Sequence, residues 1–395
     1  MELSEILYTI GKWSGVTGFF CLSFLIFSGD TARLWDRWLG LDRIIKFQRK
    51  FSLFTALFVV LHPVFFILSD SRIAGALIPN FAYFPLAMGT ISLYVFVLVM
   101  IASQLYKRIS HNVWQYIHVV TYILFGTAIY HAFNWGSDAG DFAPFYIIAF
   151  VAVSAGLIYR TQYKLRKLNA GKFTITEVVK ETHDTFTLRV APEKPFHFQA
   201  GQFAFLRLSG HKLHARHPFT ISSAPHEDEL RFTIKDSGRF TAVARTLKSG
   251  DKIFVDGPFG KFKARPAKQL VFIAGGVGIT PFMSLVRANM YMETPQQITL
   301  LYGSKTEADI IFKKNFDELR AEWFKKVYVL SNVDSGSMQY EKGFINEETI
   351  KKYVPNLEDA LFYICGPEIM KNNVNKTLAS LGIPSKKIFI EDFFW

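Results

Sequence analysis

The chain has 395 residues, half of them hydrophobic and 16% aromatic, with 45 Lys and Arg against 33 Asp and Glu for a net charge of +12. Its two cysteines, Cys21 and Cys365, exclude a disulfide framework and every common zinc spacing, so the soluble part fits a reducing compartment. The mean hydropathy of +0.18 averages two unlike halves: long apolar runs to about residue 160, then mixed sequence from about 172, long enough for two domains of roughly 100 to 130 residues each.

Five apolar stretches, about 13–29, 49–69, 84–105, 113–133 and 142–160, approach the roughly 20 residues that cross a bilayer. The first starts with Glu2 and Glu5 instead of a basic leader and lacks a clean small-residue cleavage site, so it reads as a span. Arg33, Arg37, Arg43 and Lys46 follow the first span, Lys107 and Arg108 the third, and Arg160, Lys164, Arg166 and Lys167 the fifth. These sides are expected to be cytoplasmic, and the loops with Asp70 and Arg72 and with Asp138 and Asp141 external. Basic juxtamembrane segments beside anionic lipid account for the positive balance, and nucleic acid is not needed to explain it.

His62, His118 and His131 fall inside these spans. A polar side chain in a bilayer is costly unless it faces a cavity, a partner or a cofactor, and imidazole is a common axial ligand of haem iron. His118 is expected near the cytoplasmic end of the fourth span, with His62 and His131 further outward, which makes two layers. Gln48 precedes His62 by 14 residues, about 21 Å of rise and about 40° of rotation, so the two share a helix face. His118 and His131 are 13 apart, roughly 140° out of phase, and both can face inward only if the helix is distorted; Gly126 is the expected place. Each histidine alone could equally be an interhelical hydrogen-bonding residue or part of a proton path.

In the soluble half, strand-like Phe203 to Leu208 precedes Arg216, His217, Pro218, Phe219, Thr220, Ile221, Ser222 and Ser223. That run offers an aromatic platform, hydroxyls and cations, the needs of a flat electron-accepting ring with a pyrophosphate; a buried strand with solvent-facing hydroxyls is the plainer reading. Gly238, Arg239, Phe240 and Thr241 open an expected helix over 242–247, whose free amides can bind phosphate. After the turn at 256–260 strands alternate with helices, the mark of a parallel sheet. The apolar strand 270–274 leads into Gly275, Gly276, Val277, Gly278, Ile279, Thr280 and Pro281, a glycine-rich strand-to-helix turn suited to a pyrophosphate or simply a structural turn. Further strands at 298–302, 327–330 and 361–365 carry loops at their carboxyl ends. Lys305 is a candidate partner for a 2′-phosphate or a solvated lysine, and Cys365, Gly366 and Pro367 close the last loop. The chain ends in Phe393, Phe394 and Trp395, an aromatic tail that could dock hydrophobically.

Taken together, these motifs resemble the NADPH oxidase and ferric reductase superfamily, the prokaryotic NADPH oxidases most nearly. The resemblance implies an all-α transmembrane haem domain (1–167), an antiparallel β-barrel FAD domain (172–265) and an α/β parallel-sheet NAD(P)H domain (266–395) of ferredoxin reductase-like type. It implies flavin contacts from His217, Pro218, Phe219, Thr220 and Ser223, and flavin-phosphate contacts from Gly238, Phe240 and Thr241. For the nucleotide it implies Gly275, Gly276, Gly278, Thr280, Pro281, Lys305, Cys365, Gly366 and Pro367, with Cys365 beside the nicotinamide and Trp395 over the flavin; Thr220, Cys365 and Trp395 would lie at the reacting rings. The segment from Trp114 to His131 looks like the family's second histidine pair, and Gln48 to His62 looks like the first with its leading histidine replaced. His62, His118 and His131 are then haem ligands, with Gln48 at the fourth position. Arg49, Lys50 and Arg72 are candidate propionate contacts. The family usually has six spans, where this sequence shows five. The implied activity passes electrons from cytosolic NADPH or NADH through FAD and two haems to dioxygen, forming superoxide outside the plasma membrane. The inner haem is the doubtful one. A ferric or quinone reductase, or an electron-supplying subunit for a partner protein, would use the same wiring.

Overall fold

The computed structural model describes residues 2–105, 111–136, 139–168, 172–208, 216–332 and 340–392. Lys107, Arg108, Asp138 and the tail from Phe393 to Trp395 lie outside them. The chain divides into two compact units, Met1–Leu168 and Asn169–Trp395.

The first unit is helical: α1 (Leu3–Asp30), α2 (Ala32–Leu39), α3 (Leu41–Ser69), α4 (Phe84–Gln104), α5 (His111–Val119), α6 (Thr121–Trp135) and α7 (Ala139–Leu168). Among the described residues, five segments are long and apolar enough to cross a membrane: Leu3–Asp30, Leu41–Ser69, Phe81–Gln104, Tyr116–Trp135 and Gly140–Arg166. The helices outrun the apolar stretches because Lys and Arg are good helix formers, so the backbone stays helical where hydropathy falls. The short α2, with exposed Trp35 and Trp38, replaces what reads from the sequence as a basic loop. Phe19, Leu22, Phe96, Leu124, Phe125, Tyr146 and Val153 form the bundle's buried centre.

The expected distortion between His118 and His131 exists, but not at Gly126, which lies within α6 with no atom near its open side. The helix breaks at Val120 instead. The Thr121 hydroxyl donates to the His118 carbonyl at 2.6 Å, and the Val120 amide donates to Ile117, three residues back, at 3.1 Å. A side-chain hydroxyl competing for a ladder carbonyl and a tightened turn together interrupt an α-helix.

The second unit holds two six-stranded sheets. β1 (Lys172–Lys180), β2 (Thr185–Pro192), β3 (Phe203–Leu208), β4 (His217–Thr220), β5 (Leu230–Lys235) and β6 (Lys252–Phe259) pair antiparallel in the order β4-β3-β6-β1-β2-β5, with α8 (Arg239–Arg245) after β5. β7 (Gln269–Gly275), β8 (Gln297–Ser304), β9 (Phe324–Leu330), β10 (Glu341–Lys342), β11 (Ala360–Cys365) and β12 (Ile388–Glu391) pair parallel in the order β10-β9-β8-β7-β11-β12. Helices α9 (Thr280–Asn289) and α10 (Lys313–Glu318) cover one face of this sheet, α11 (Glu347–Tyr353) and α12 (Glu368–Ser380) the other. The uninterrupted apolar run of β7 reflects this two-sided cover. Ser284 of α9 joins the sheets: fully buried, its hydroxyl donates to the Ser223 carbonyl at 2.7 Å and accepts from the Gly201 amide at 3.3 Å. Gly201 has φ +90°, and a Cβ there would lie 1.9 Å from the Phe262 carbonyl oxygen.

Candidate functional site

In the helical unit His62 of α3 and His131 of α6 face each other, ring centroids 6.4 Å apart and planes at 73°. Each imidazole is held by the helix beside its own. His62 Nδ1 donates to the Gly11 carbonyl of α1 at 2.9 Å, and His131 Nδ1 donates to the Pro85 carbonyl of α4 at 2.9 Å. Four residues on, a glycine makes room for each ring: a Cβ at Gly15 would lie 2.4 Å from His62 Nδ1, and one at Gly89 2.6 Å from His131 Nδ1. Because a carbonyl only accepts, both rings carry the proton on Nδ1, and the lone pair stays on Nε2. Two imidazoles ligating one metal ion from opposite sides, at about 2 Å per bond, set their centroids roughly 6 Å apart. The pair therefore fits a bis-imidazole haem iron, with the Nδ1 bonds fixing ring orientation as outer partners of metal-bound histidines do.

The layer of Gln48 and His118 is built differently. Gln48 Nε2 donates to Ser28 Oγ at 3.0 Å, so the amide turns onto α1. His118 is half-buried in the last turn of α5. Asp30 is buried and accepts from the Tyr122 hydroxyl at 2.8 Å and from Arg160 Nη1 at 3.0 Å. The sequence places Arg160 among juxtamembrane anchors; it is instead tied into the bundle, and the signal was the carboxylate of Asp30 ending an apolar run. Arg72 is spent on Asp70, its guanidinium at 2.8 Å, while Arg49 and Lys50 are exposed.

In the antiparallel sheet β4 pairs with β3, Phe203 opposite Thr220 and Phe205 opposite Pro218. The half-buried rings of His217 and Phe219 lie 4.2 and 5.8 Å from Phe240, which is itself buried and supports them from below. Arg216 pairs with Asp256 at 2.8 Å and brings a cation to the strand edge. These residues suit a flavin edge and its phosphates. Two expectations change. The Ser223 hydroxyl is buried and accepts the Arg231 amide at 3.2 Å, so it serves the backbone. Helix α8 starts at Arg239, and Thr241 Oγ1 accepts from the Ser237 and Gly238 amides at 3.0 and 2.9 Å, so the Gly238 amide, expected to await phosphate, is already used.

In the parallel sheet the chain leaves β7 toward β8 on one side and returns as β11 on the other, so the loops after β7 and β11 flank the switch point where open α/β sheets bind ligands. Glycines press these loops together. A Cβ at Gly278 would meet the Cys365 carbonyl oxygen at 2.4 Å, one at Gly275 would meet Met370 Sδ at 2.6 Å, and one at Gly366 would meet Met370 Cε at 2.6 Å. Gly276, in the same turn, takes a left-handed φ of +52°. Thr280 and Pro281 are buried at the start of α9, the Thr280 hydroxyl donating to the Val277 carbonyl at 3.1 Å, so they shape the turn more than they line a cavity. Lys305 is exposed just past β8. Cys365 is fully buried, and burial, followed by the charge of Glu391, pushes its thiol well above the usual range, so it acts as a neutral neighbour and not as a thiolate. Lys371, buried on α12 and unnoticed in the sequence, pairs with Glu368 and with Asp392, just before the terminal aromatics. Trp395 lies outside the described residues.

A glycine-gated parallel sheet, a flavin-type antiparallel sheet and an apolar helical unit on one chain define an NAD(P)H-dependent flavin oxidoreductase with a transmembrane domain. Known proteins agree. Residues 14–129 match the ferric reductase like transmembrane component family, 170–263 an FAD-binding domain and 272–376 an oxidoreductase NAD-binding domain. The chain is 31% identical over 230 residues to NADH-cytochrome b5 reductase 1 of Dictyostelium discoideum, covering 55% of this chain and 80% of that protein. It is 27% identical over 227 residues to the 2-halobenzoate 1,2-dioxygenase electron transfer component of Burkholderia cepacia, covering 55% of this chain and 66% of that one. Among solved structures, a ferredoxin reductase in carbazole 1,9a-dioxygenase shares the fold at TM-score 0.51 and 24% identity over 57% of this chain and 69% of that one. The cytochrome b5 reductase domain of Ulva prolifera nitrate reductase does so at TM-score 0.51 and 20% identity, over 57% and 98%. With its three domains in this order, the chain belongs to the NADPH oxidase and ferric reductase superfamily.

Proposed function

We propose that the chain is a transmembrane flavocytochrome that takes electrons from NADPH or NADH in the cytoplasm and delivers them to dioxygen outside the plasma membrane as superoxide. The single observation that carries this reading is the opposed imidazole pair His62 and His131, a metal-ligand geometry on the same chain as a flavin and a nucleotide domain. When bound, FAD accepts hydride and releases electrons singly, and haem passes single electrons onward. The protein positions and insulates. Gly275, Gly278 and Gly366 let the loops after β7 and β11 close on each other, Gly276 leaves open space where a pyrophosphate would approach the backbone, and Lys305 adds an exposed cation just past β8. His217, Phe219 and Thr220 would hold the flavin ring, with Phe240 packed against the His217 and Phe219 rings, and the terminal Trp395 is the residue that would stack on it. Gly11 and Pro85 fix the Nδ1 protons of the outer pair, so each Nε2 is available inward.

The charge pattern supports the orientation: Arg43, Lys46, Lys164 and Arg166 flank one end of the spans, and that end faces the cytoplasm. Lipid surrounds the bundle, dioxygen is the acceptor, and neither nucleic acid nor a protein partner is required. One NAD(P)H and two dioxygen molecules give one NAD(P)⁺, two superoxide ions and one proton. The test is purified full-length chain with NADPH or NADH, scored as cytochrome c reduction sensitive to superoxide dismutase, with and without an iron(III) competitor. Dismutase-sensitive reduction is the expected result. Oxidation of nicotinamide only when iron(III) or a quinone is present would replace oxidase with reductase.

A further inference from the structure

The surroundings of His62 recur one layer inward, around a residue that does not use them. Helices α1 and α3 are antiparallel neighbours, since Gly11 meets His62 and Ser28 meets Gln48. A step of 14 residues leads from His62 back to Gln48 on α3, and the same step on α1 leads from Gly11 to Leu25 and from Gly15 to Gly29. Each step is about 21 Å along its helix, so the three-residue arrangement is carried over as a unit.

What fills the two arrangements differs. At the outer one the imidazole donates directly to the Gly11 carbonyl, and Gly15 is obligatory, because a Cβ there would lie 2.4 Å from the ring. At the inner one the Leu25 carbonyl accepts the Ser28 hydroxyl at 3.2 Å, and that hydroxyl accepts the Gln48 amide at 3.0 Å. A two-link chain thus does what one imidazole N–H does further out. Gly29 is not needed by Gln48: a Cβ there would meet only the amide nitrogen, at 3.9 Å, an ordinary contact. It is the residue an imidazole would need. An amide nitrogen has no lone pair to give a metal, and this one is directed at Ser28.

We infer that position 48 is an imidazole slot occupied by an amide, that the chain as written holds haem only between His62 and His131, and that Gln48→His opens a second haem site with His118. The inference rests on reading the outer pair as a haem site. Ser28, Leu25 and Gly29 act here as positioning residues; none touches the metal.

The test is haem per FAD, by pyridine haemochrome and flavin absorbance, in full-length chain purified from haemin-supplemented cells. The expected ratios are about one for the unsubstituted chain, near zero for His62→Ala, about two for Gln48→His and about one for Gln48→His with His62→Ala. Adding Gly29→Val to that double variant is expected to return it to near zero. About two haems in the unsubstituted chain would overturn the inference, and so would Gln48→His remaining at one. Loss of the outer haem in Gln48→His also counts against it, because an imidazole that fits leaves α1 and α3 undisturbed. No haem in the unsubstituted chain would instead remove the reading of the outer pair.

Discussion

The two layers of the helical unit differ less in scaffold than in occupancy. Both lie between α1 and α3 at the same 14-residue spacing, and both have a glycine on α1 facing the α3 side chain. In the outer layer a ring lies 2.4 Å from where a Cβ would be, and its Nδ1 is fixed by a carbonyl. In the inner layer a longer, softer amide reaches a hydroxyl instead. A ligand site in a bilayer is therefore more than its ligands: the neighbouring helix must supply one acceptor and one missing side chain, and these can outlast the ligand itself.

The harshest way to break this comparison is to remove an outer ring. His131→Ala is expected to abolish the haem spectrum and cut superoxide formation at least a hundredfold, while NAD(P)H-dependent ferricyanide reduction by the flavin half stays within twofold; the two assays on one preparation decide it. Next come the glycines as a matched pair. Gly15→Ala forces a Cβ against the His62 ring, and overpacking of this kind costs about 1–3 kcal/mol. Haem occupancy is expected to fall several-fold, whereas Gly29→Ala, with an ordinary 3.9 Å contact, leaves it unchanged. Equal losses from both would mean that the layers are not distinct.

Smaller effects sharpen the contrast. Ser28→Ala removes the acceptor of the Gln48 amide and is expected to lower bundle stability by about 0.5–1.5 kcal/mol with no change in haem content, measured by thermal unfolding at the haem band. A substitution in the second unit provides the control. Glu181 accepts the Thr187 hydroxyl at 2.6 Å, and burial holds its carboxyl above the ordinary value of 4.5 despite that bond, the charge of Arg287 and the Phe312 amide. A raised carboxyl binds more protons folded than unfolded, so this part of stability is complete below pH 4.5 and declines as pH rises through the shifted value. Glu181→Gln is expected to flatten that decline in urea midpoints followed by flavin fluorescence, and to leave haem untouched.

Much of the fold was legible because its signals are local. Apolar length marks five spans, and the change from alternation to strand-helix order after residue 260 separates the two sheets. The break at Val120 was not legible, since it depends on one hydroxyl meeting one carbonyl, and a glycine six residues later looked the better cause. The site was legible in its motifs but not in their use. Thr241, Ser223 and Thr280 stand in the ligand-binding runs, yet their hydroxyls serve the local backbone. Gly11, Gly15, Pro85 and Gly89 were invisible as site residues, because small residues in an apolar helix read as helix packing until the neighbouring histidine is seen against them. Arg160 was misread for a similar reason: its partner Asp30 is 130 residues away.

The most direct test of the central claim, that only the outer layer is built to hold haem, is the low-spin haem signal by electron paramagnetic resonance in full-length His118→Ala, normalised to FAD. The expected result is the intensity of the unsubstituted chain, because the Gln48 amide is turned onto Ser28 and position 48 offers no imidazole. Loss of half or more of the signal would contradict it and show that the inner layer binds haem with Gln48 in place.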